Sequence, residues 1–273
     1  MTIKNLFGHT VGNDKEVMRE YRQNPARIFK FAEVLMAVIE QHIGRRSSVR
    51  ILDIGCGRGE CVRYLRSNGY PNSFGVDFEG PFDEIFSEGQ DGGSQGVFRK
   101  LETEPYFVPF EDHSFDLIFS RHVVEHVKDH QAFFGEIYRL LKPEGVSFHL
   151  FPARFRLLEA HTKIPFGGAL TTPLWWNLWA AFGVRPSGQR GVAISEYRNW
   201  LDEMRKNRIN YLSTVKLRDL LRQWRWSIDY FDCPLRAAYS PNMPSPIFFL
   251  LSFTNLIRTF HVRALLLKRT AGP

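Results

Sequence analysis

Asp53 and three glycines alternate along one short stretch of the chain, at Gly55, Gly57 and Gly59. The apolar residues 49–54 predict a buried strand, and the glycines predict a tight turn that leads into a helix. Glycine backbones let a ligand lie directly against the chain. The free N–H groups of the first helical turn add a partial positive charge, and Asp53 can accept hydrogen bonds from a cationic amine. The stretch therefore predicts a ligand-binding turn.

The spacing of this turn separates two classes of cofactor site. In the dinucleotide fingerprint Gly-x-Gly-x-x-Gly the third glycine falls one residue later than it does here. The stretch resembles the first motif of the class I S-adenosylmethionine-dependent methyltransferases. That resemblance implies S-adenosylmethionine as cofactor and methyl transfer as the reaction. Two alternatives stay open, namely a non-catalytic module that keeps the fold and a Rossmann-type oxidoreductase.

A second acid follows the next predicted strand, residues 73–77, which ends at Asp77. In a doubly wound sheet this position lies beside the first turn, where a carboxylate can bind both ribose hydroxyls of a nucleoside. The methyltransferase resemblance implies the same role, and Phe78 would border the same pocket. The alternative is a solvated loop acid. In related methyltransferases an acid after the third strand contacts the adenine amino group, and Glu102 and Glu104 are the candidates here.

Residues 109–120 resemble the fourth-strand motif of the same family, with residues 115–119 as a buried strand. Ser120 and His122 follow at its carboxyl end, where ligands bind in open α/β sheets. Asp116 is expected to organise a turn. The Glu-His pair at 125–126 is also frequent in the family. The predicted cofactor-binding residues are Asp53, Gly55, Cys56, Gly57, Gly59, Asp77, Phe78, Glu102, Ser120 and His122.

The predicted acceptor site lies in an insertion after the fifth strand, where His161 follows Glu159 by two residues. Methyl transfer requires a base only when the acceptor must lose a proton, as a hydroxyl must. Histidine titrates near neutrality, so His161 and, second, His126 are the predicted catalytic residues. Glu159 could orient or neutralise His161. The acceptor is expected to be a hydroxyl, ahead of nitrogen or carbon, on a small molecule or a glycan- or lipid-linked acceptor.

The alternation of strands and helices predicts an α/β fold: a doubly wound, Rossmann-like sheet, mostly parallel, with an antiparallel final strand and helices on both faces. Four segments follow from the pattern: a helical segment 1–48, a cofactor-binding core 49–151, an acceptor-side insertion or lid 152–212, and C-terminal helices with the last two strands, 213–273. Helices are expected over residues 15–22, from Pro25, and over 247–258. An aromatic stripe in the insertion, Trp175, Trp179 and Phe182, predicts packing, a lid or an interface anchor.

The amino-acid composition limits the kinds of partner and site that are expected for this chain. Its 273 residues, 44% of them hydrophobic, can bury a sizeable core. A net charge of +7 permits an anionic partner, but no nucleic-acid module accompanies it. The three cysteines show neither metal spacing nor a disulfide framework, so no metal site and a cytoplasmic location are expected. Peripheral membrane contact stays an alternative, through the aromatic stripe or residues 247–258.

Overall fold

The structure, a computed structural model, describes residues 25–78, 96–230 and 262–269. The side chains of residues 25–29, 229–230 and 262 are not described. The helices predicted over 15–22 and 247–258 lie outside the described residues.

A seven-stranded sheet forms the centre of the described chain. Its strands are β1 (Ile51–Ile54), β2 (Ser73–Asp77), β3 (Phe98–Lys100), β6 (Phe115–Arg121), β7 (Leu141–Pro152), β8 (Trp226–Tyr230) and β9 (Val262–Arg269). A separate small hairpin consists of β4 (Glu102–Thr103) and β5 (Tyr106–Phe107). The strand order is β3-β2-β1-β6-β7-β9-β8, and β9 runs antiparallel to both of its neighbours. This order confirms the predicted Rossmann-like sheet and its antiparallel final strand.

Helices cover both faces of this sheet. The helices that pack on the sheet are α1 (Pro25–His42), α2 (Glu60–Ser67), α3 (His130–Leu140) and α6 (Thr214–Gln223). Two more, α4 (Pro173–Ala181) and α5 (Ile194–Glu203), belong to the insertion. Short turns lie at Val124–His126 and Ser187–Gln189, with a π-helical turn at Met204–Arg208. Asp129 caps α3, since one carboxylate oxygen accepts the N–H groups of Gln131 and Ala132. Such a cap stabilises a helix by roughly 1 kcal/mol.

Helix α1 packs on a face of the central strands. Phe31 lies 5.8 Å from Phe119 of β6 and 6.1 Å from Phe148 of β7, measured between ring centroids. Its apolar residues recur at helical spacing, so one side of the helix is fully buried. The helix therefore lies on a face of the sheet and not at its edge, and Phe31 also lines the small cavity described below.

Asp116, at the start of β6, was expected to organise a turn, but it joins segments that are distant in sequence. Its carboxylate accepts the backbone N–H of Arg50 at 2.8 Å and pairs with Lys142 at 2.8 Å. Strand β7 begins at Leu141, which pairs with Phe115. The next pair is Leu117–Val146, so residues 142–145 bulge out of an otherwise continuous pairing.

The insertion has a small apolar core of its own. Its buried members are Ile164, Trp176, Ala180, Tyr197, Leu201 and Met204. Trp176 is 2% exposed, whereas Phe182 is 71% exposed and Trp175 and Trp179 are only partly buried. The prediction that the stripe packs in a core is therefore wrong for Phe182. Helix α4 is apolar on most sides, and the aromatic residue that it buries is Trp176. Among the described residues, no helix combines the length and the apolar composition needed to cross a bilayer.

Candidate cofactor and acceptor site

The glycine turn joins β1 to α2 through three residues of positive φ. Gly55, Gly57 and Gly59 have φ values of 79°, 55° and 76°. The backbone N–H groups of Gly55 and Cys56 both donate to the carbonyl of Val76 in β2, at 2.8 and 3.1 Å. The Cys56 side chain is buried beside Val62 and Phe98, so only its backbone faces the turn. The predicted strand–turn–helix is confirmed at this point.

Two of these glycines are closely enclosed, and the third is open. A Cβ on Gly55 would lie 2.2 Å from Val123 Cγ2, and one on Gly59 would lie 2.4 Å from the Phe98 ring. A Cβ on Gly57 would meet no atom of the described residues within 4 Å. The open side of Gly57 is therefore where a ligand can lie against the backbone.

Substitution of these glycines separates folding from binding. We expect Gly55→Ala to lower the free energy of unfolding by more than the ~1–2 kcal/mol that positive φ costs an L-residue, because the new methyl also overlaps Val123. Gly57→Ala should lower the free energy of unfolding only by the cost of its positive φ, because the new methyl meets no neighbour among the described residues. The variant should keep the fold but bind the cofactor more weakly. Urea unfolding and calorimetric titration measure the two effects. Equal loss of stability in both variants would contradict this assignment.

Asp77 is held against the turn by its own carboxylate. Oδ2 accepts the N–H of Gly57 at 2.8 Å, and Oδ1 accepts the N–H of Phe78 at 2.8 Å. A carboxylate offers about four acceptor positions. The same group can therefore stabilise the turn and receive two ribose hydroxyls. Phe78, 39% exposed, follows directly at the border of this region.

Asp53 lies at a small cavity beside the turn, opposite Arg121. The cavity is lined by Phe31, Asp53, Gly55, Cys56, Glu60, Cys61, Phe119 and Arg121. Burial raises the pKa of the Asp53 carboxyl to about 8, although the positive charge of Arg121 opposes this rise. Asp77 and Glu60 add to it through their negative charges. A cationic ligand group would restore the carboxylate, so this pocket is suited to an ammonium or sulfonium ligand.

Two further predicted cofactor residues, Glu102 and Ser120, differ in their exposure. Glu102 is exposed on β4, one residue after Leu101, whose N–H donates to the Asp77 carbonyl at 3.0 Å. The Ser120 hydroxyl is fully buried and lies 2.8 Å from His149 Nδ1, so it is turned into the core. Burial lowers the pKa of His149 to about 3. Ser120 can therefore reach a ligand only through its backbone.

Two of the predicted histidines meet across the start of the insertion. The rings of His126 and His161 lie 4.8 Å apart, edge to face. His161 Nδ1 lies 2.9 Å from Glu159 Oε1, as the predicted pairing requires, and His126 Nδ1 lies 2.6 Å from the Arg208 carbonyl. His122, with φ 57°, places its Nδ1 3.5 Å from Oε1 of the buried Glu125. His122, His126 and His161 thus lie around the carboxylate of Glu125.

Glu159 is the buried anchor of this cluster. Its carboxylate accepts the backbone N–H groups of His161 and Thr162, the Thr162 hydroxyl at 2.8 Å and the Tyr211 hydroxyl at 2.6 Å. Burial alone would raise the pKa of this carboxyl, but the His161 ring and these donors bring it well below its ordinary value. Glu159 is therefore an anion that fixes the orientation of His161.

The two imidazoles differ in basicity. Burial lowers the pKa of His161, but the hydrogen bond and charge of Glu159 outweigh burial, so the net shift is upward from 6.5. For His126 burial is the largest cause and the charge of His161 adds to it, so its pKa is lowered despite Glu125. The two shifts make His126 the weaker base and His161 the stronger base of the pair.

Several residues of the site were not predicted from the sequence. Asn210 accompanies Arg208 in anchoring the insertion, because its N–H donates to the Glu125 carbonyl at 2.7 Å and its amide donates to the Val127 carbonyl at 2.9 Å. Tyr211 was missed as well. The distance in sequence between partners is 52 residues for Tyr211 and Glu159 and 82 for Arg208 and His126, and no local pattern signals such pairs.

The cluster lies next to the glycine turn. Val123, whose methyl fills the space over Gly55, is followed directly by the turn that carries Glu125 and His126. The carboxyl ends of β1, β2 and β6 therefore bring together a nucleoside-type cradle and a group of imidazoles. This arrangement defines a nucleoside-cofactor enzyme on an α/β sheet.

Comparison with known proteins identifies the cofactor class. Residues 52–148 match the family described as "Methyltransferase domain". Phosphoethanolamine N-methyltransferase 2 of Caenorhabditis elegans is 32% identical over 95 residues, covering 35% of this chain and 22% of that protein. Sterol 24-C-methyltransferase erg6 of Schizosaccharomyces pombe is 31% identical over 111 residues, covering 38% and 28%. The chain thus spans under a third of the length of these relatives.

The plantazolicin methyltransferase BpumL, solved in complex with S-adenosylhomocysteine, shares the fold. It aligns with a TM-score of 0.55 and 14% identity over 97% of this chain and 92% of that one. The matched residues contain the whole glycine turn, Asp77 and the Glu-His pair. Residues 52–148 therefore form a methyltransferase domain, and this match supports S-adenosylmethionine as the cofactor.

Proposed function

We propose that this protein transfers the methyl group of S-adenosylmethionine to a hydroxyl of a small, glycan-linked or lipid-linked acceptor, with the His161–Glu159 pair accepting the hydroxyl proton. The observation that carries the proposal is the pairing of His161 with the buried Glu159, beside His126, whose turn directly follows the Val123 that packs over Gly55. Nitrogen and carbon acceptors, as in the names of the two relatives, need no such arrangement when the nucleophile carries no proton to lose.

The residues of the cradle fit the cofactor. Asp77 offers a carboxylate for the ribose hydroxyls, Gly57 leaves an open side for the ligand, and Asp53 offers a buried carboxyl for a cation. When bound, S-adenosylmethionine supplies the electrophilic methyl group. The side chains of this protein then have to hold the acceptor in line, exclude water and receive its proton.

The surface around His161 supports an apolar portion in the acceptor. Large apolar side chains are exposed on the same insertion; they are Phe155, Leu157, Leu158, Leu170, Leu174, Leu178 and Phe182. A bridge between Leu158 and Pro165 closes the loop that bears His161. Leu157 and Leu158 therefore lie at the base of this loop. A lipid-linked hydroxyl could contact these side chains while its oxygen reaches the imidazole.

The turnover of His161→Asn and the pH dependence of wild-type turnover together test whether His161 accepts the proton. A positioned base contributes roughly 10²–10⁴-fold, so we expect His161→Asn to lower turnover by that factor and leave S-adenosylmethionine affinity unchanged. Because His161 must be deprotonated to act and its pKa is raised, wild-type turnover should increase with pH through a value above 6.5. Release of S-adenosylhomocysteine with fractionated cell extract as the acceptor source measures turnover.

His113→Asn is the matched control for that experiment. His113 lies at the opposite end of β6, and asparagine tolerates its φ of 53°. Turnover of the control should equal that of the wild type. Methyl transfer that persists unchanged in His161→Asn, or that labels only amines, would rule out a hydroxyl acceptor deprotonated by this pair.

A further inference from the structure

Three side chains outside the cofactor cradle direct metal-binding atoms at one point. Glu125, His126 and His161 each offer one such atom, and these atoms all lie within 4.8 Å of one another. A tetrahedral ion with bonds of 2.0–2.1 Å needs ligand atoms roughly 3.3 Å apart. Closure by up to about 1.5 Å is within the reach of side-chain rotation at three residues on two loops.

Both imidazoles are oriented as metal ligands are. The Nδ1 of His126 faces the Arg208 carbonyl at 2.6 Å, and the Nδ1 of His161 faces Glu159 at 2.9 Å. Metal-binding histidines almost always donate their second ring N–H to a carbonyl or a carboxylate, which fixes the tautomer and leaves the other nitrogen for the ion. Here each ring has Nδ1 engaged, so Nε2 is the nitrogen left for a metal.

Glu125 supplies an independent reason to expect a cation. Its side chain is 1% exposed, and neither carboxylate oxygen has a hydrogen-bond partner among the described residues. His122 Nδ1 lies 3.5 Å from Oε1, which is too long for a good hydrogen bond. A buried carboxylate without hydrogen bonds is costly, and coordination of a metal ion is one of the two usual ways to offset that cost. The Asn210 contact to the Glu125 carbonyl fixes the backbone of this residue in place.

We propose that Glu125, His126 and His161 bind one divalent transition-metal ion, of which zinc fits the two imidazoles and one carboxylate best. Three protein ligands leave a fourth position open, which is the pattern of catalytic rather than structural zinc sites. The Arg208 carbonyl orients the His126 ring, and Glu159, itself held by the Tyr211 hydroxyl, orients the His161 ring. No cysteine takes part, which explains why cysteine spacing in the sequence gave no indication of the site.

The consequence for the reaction rests on the proposed function, although the binding of the metal does not. An acceptor hydroxyl at the fourth position would have its pKa lowered by the ion. With the ion bound, the hydroxyl proton is lost to solvent, the oxygen forms a bond to the methyl carbon, and the sulfur–methyl bond breaks to give neutral S-adenosylhomocysteine. His161 is then a ligand, and the ion replaces the His161–Glu159 pair in activating the hydroxyl. Without the ion, that pair takes the proton as in the proposed function.

Metal titration of the full chain, first stripped with a chelator, tests the site. We expect one equivalent of Zn²⁺ to bind and to raise the thermal unfolding midpoint, and Co²⁺ to give the visible absorption of a tetrahedral site. Glu125→Gln, His126→Asn and His161→Asn should each weaken binding at least about tenfold, and Glu159→Gln by about 10–100-fold. His113→Asn should bind as the wild type does.

The outcomes separate the metal site from the proposed function. Failure of the stripped wild type to bind a stoichiometric ion would overturn the site, as would equal binding by the three ligand variants and the wild type, once circular dichroism shows them folded. Titration with S-adenosylmethionine, run on the stripped and the loaded protein, reports on the cofactor site alone. Metal binding without any methyl transfer would leave the site standing and count against the proposed reaction.

Discussion

Asp77→Ala should reduce the affinity for S-adenosylmethionine by on the order of 100-fold or more. The variant removes the acceptor for two ribose hydroxyls, and hydrogen bonds to a charged group contribute about 1.5–3 kcal/mol each. It also leaves the N–H groups of Gly57 and Phe78 without their acceptor, which loosens the turn that the cofactor must contact. Calorimetric titration of the purified protein measures the effect.

Asp112→Ala is the matched control for this variant. Asp112 also pairs its carboxylate with protein donors, since it lies 2.7 Å from Arg139, but it sits at the amino end of β6 and its side chain is 64% exposed. The affinity of Asp112→Ala for S-adenosylmethionine should equal that of the wild type. Tight binding by Asp77→Ala would remove Asp77 from the cofactor site, and saturable binding of NAD in place of S-adenosylmethionine would favour the oxidoreductase alternative.

Asp53 should make cofactor binding depend on pH. In the free protein the raised pKa of about 8 keeps this carboxyl protonated at neutral pH, whereas the cationic cofactor favours the carboxylate. Binding below pH 8 should therefore release up to one proton, and affinity should increase by up to about tenfold per pH unit between pH 6 and 8. Titration in two buffers of different ionisation enthalpy gives the number of protons released.

Asp53→Asn should abolish the proton release and also change stability. A carboxyl with a folded pKa above its ordinary value near 4 favours folding only while it is protonated, so its contribution is full below about pH 4 and is lost as pH rises through about 8. The ligand-free variant should accordingly unfold at a higher temperature than the wild type at pH 8 and at the same temperature at pH 4. Asp112→Asn, which is exposed, should show no such difference.

The cofactor half of the site could be predicted because its signals are local. A strand, a glycine turn and a helix are specified by consecutive residues, and an acid at a strand end is positioned by the order of strands alone. Asp53, the three glycines and Asp77 therefore lie where the sequence indicated. Ser120 shows the limit of this reasoning, since the pattern located it at the strand end and could not tell which face its hydroxyl takes.

The acceptor half depended on contacts that the sequence does not signal. The pairing of Glu159 with His161 spans two residues and was expected, whereas the approach of His161 to His126 requires the insertion to fold back over β6. Glu125 looked like an ordinary member of a motif, and only the burial of its carboxylate without a hydrogen bond distinguishes it. In α4, apolar residues on most sides gave no basis for choosing Trp176 as the buried one.

The position of β9 has a consequence for synthesis on the ribosome. This strand comes last among the described elements, yet it lies between β7 and β8 and pairs with both. While the nascent chain lacks residues 262–269, β7 has an open edge and β8 has no partner in the sheet. Open strand edges are the usual template for pairing with another chain. The unfinished protein is thus exposed to aggregation until β9 emerges and fills the gap.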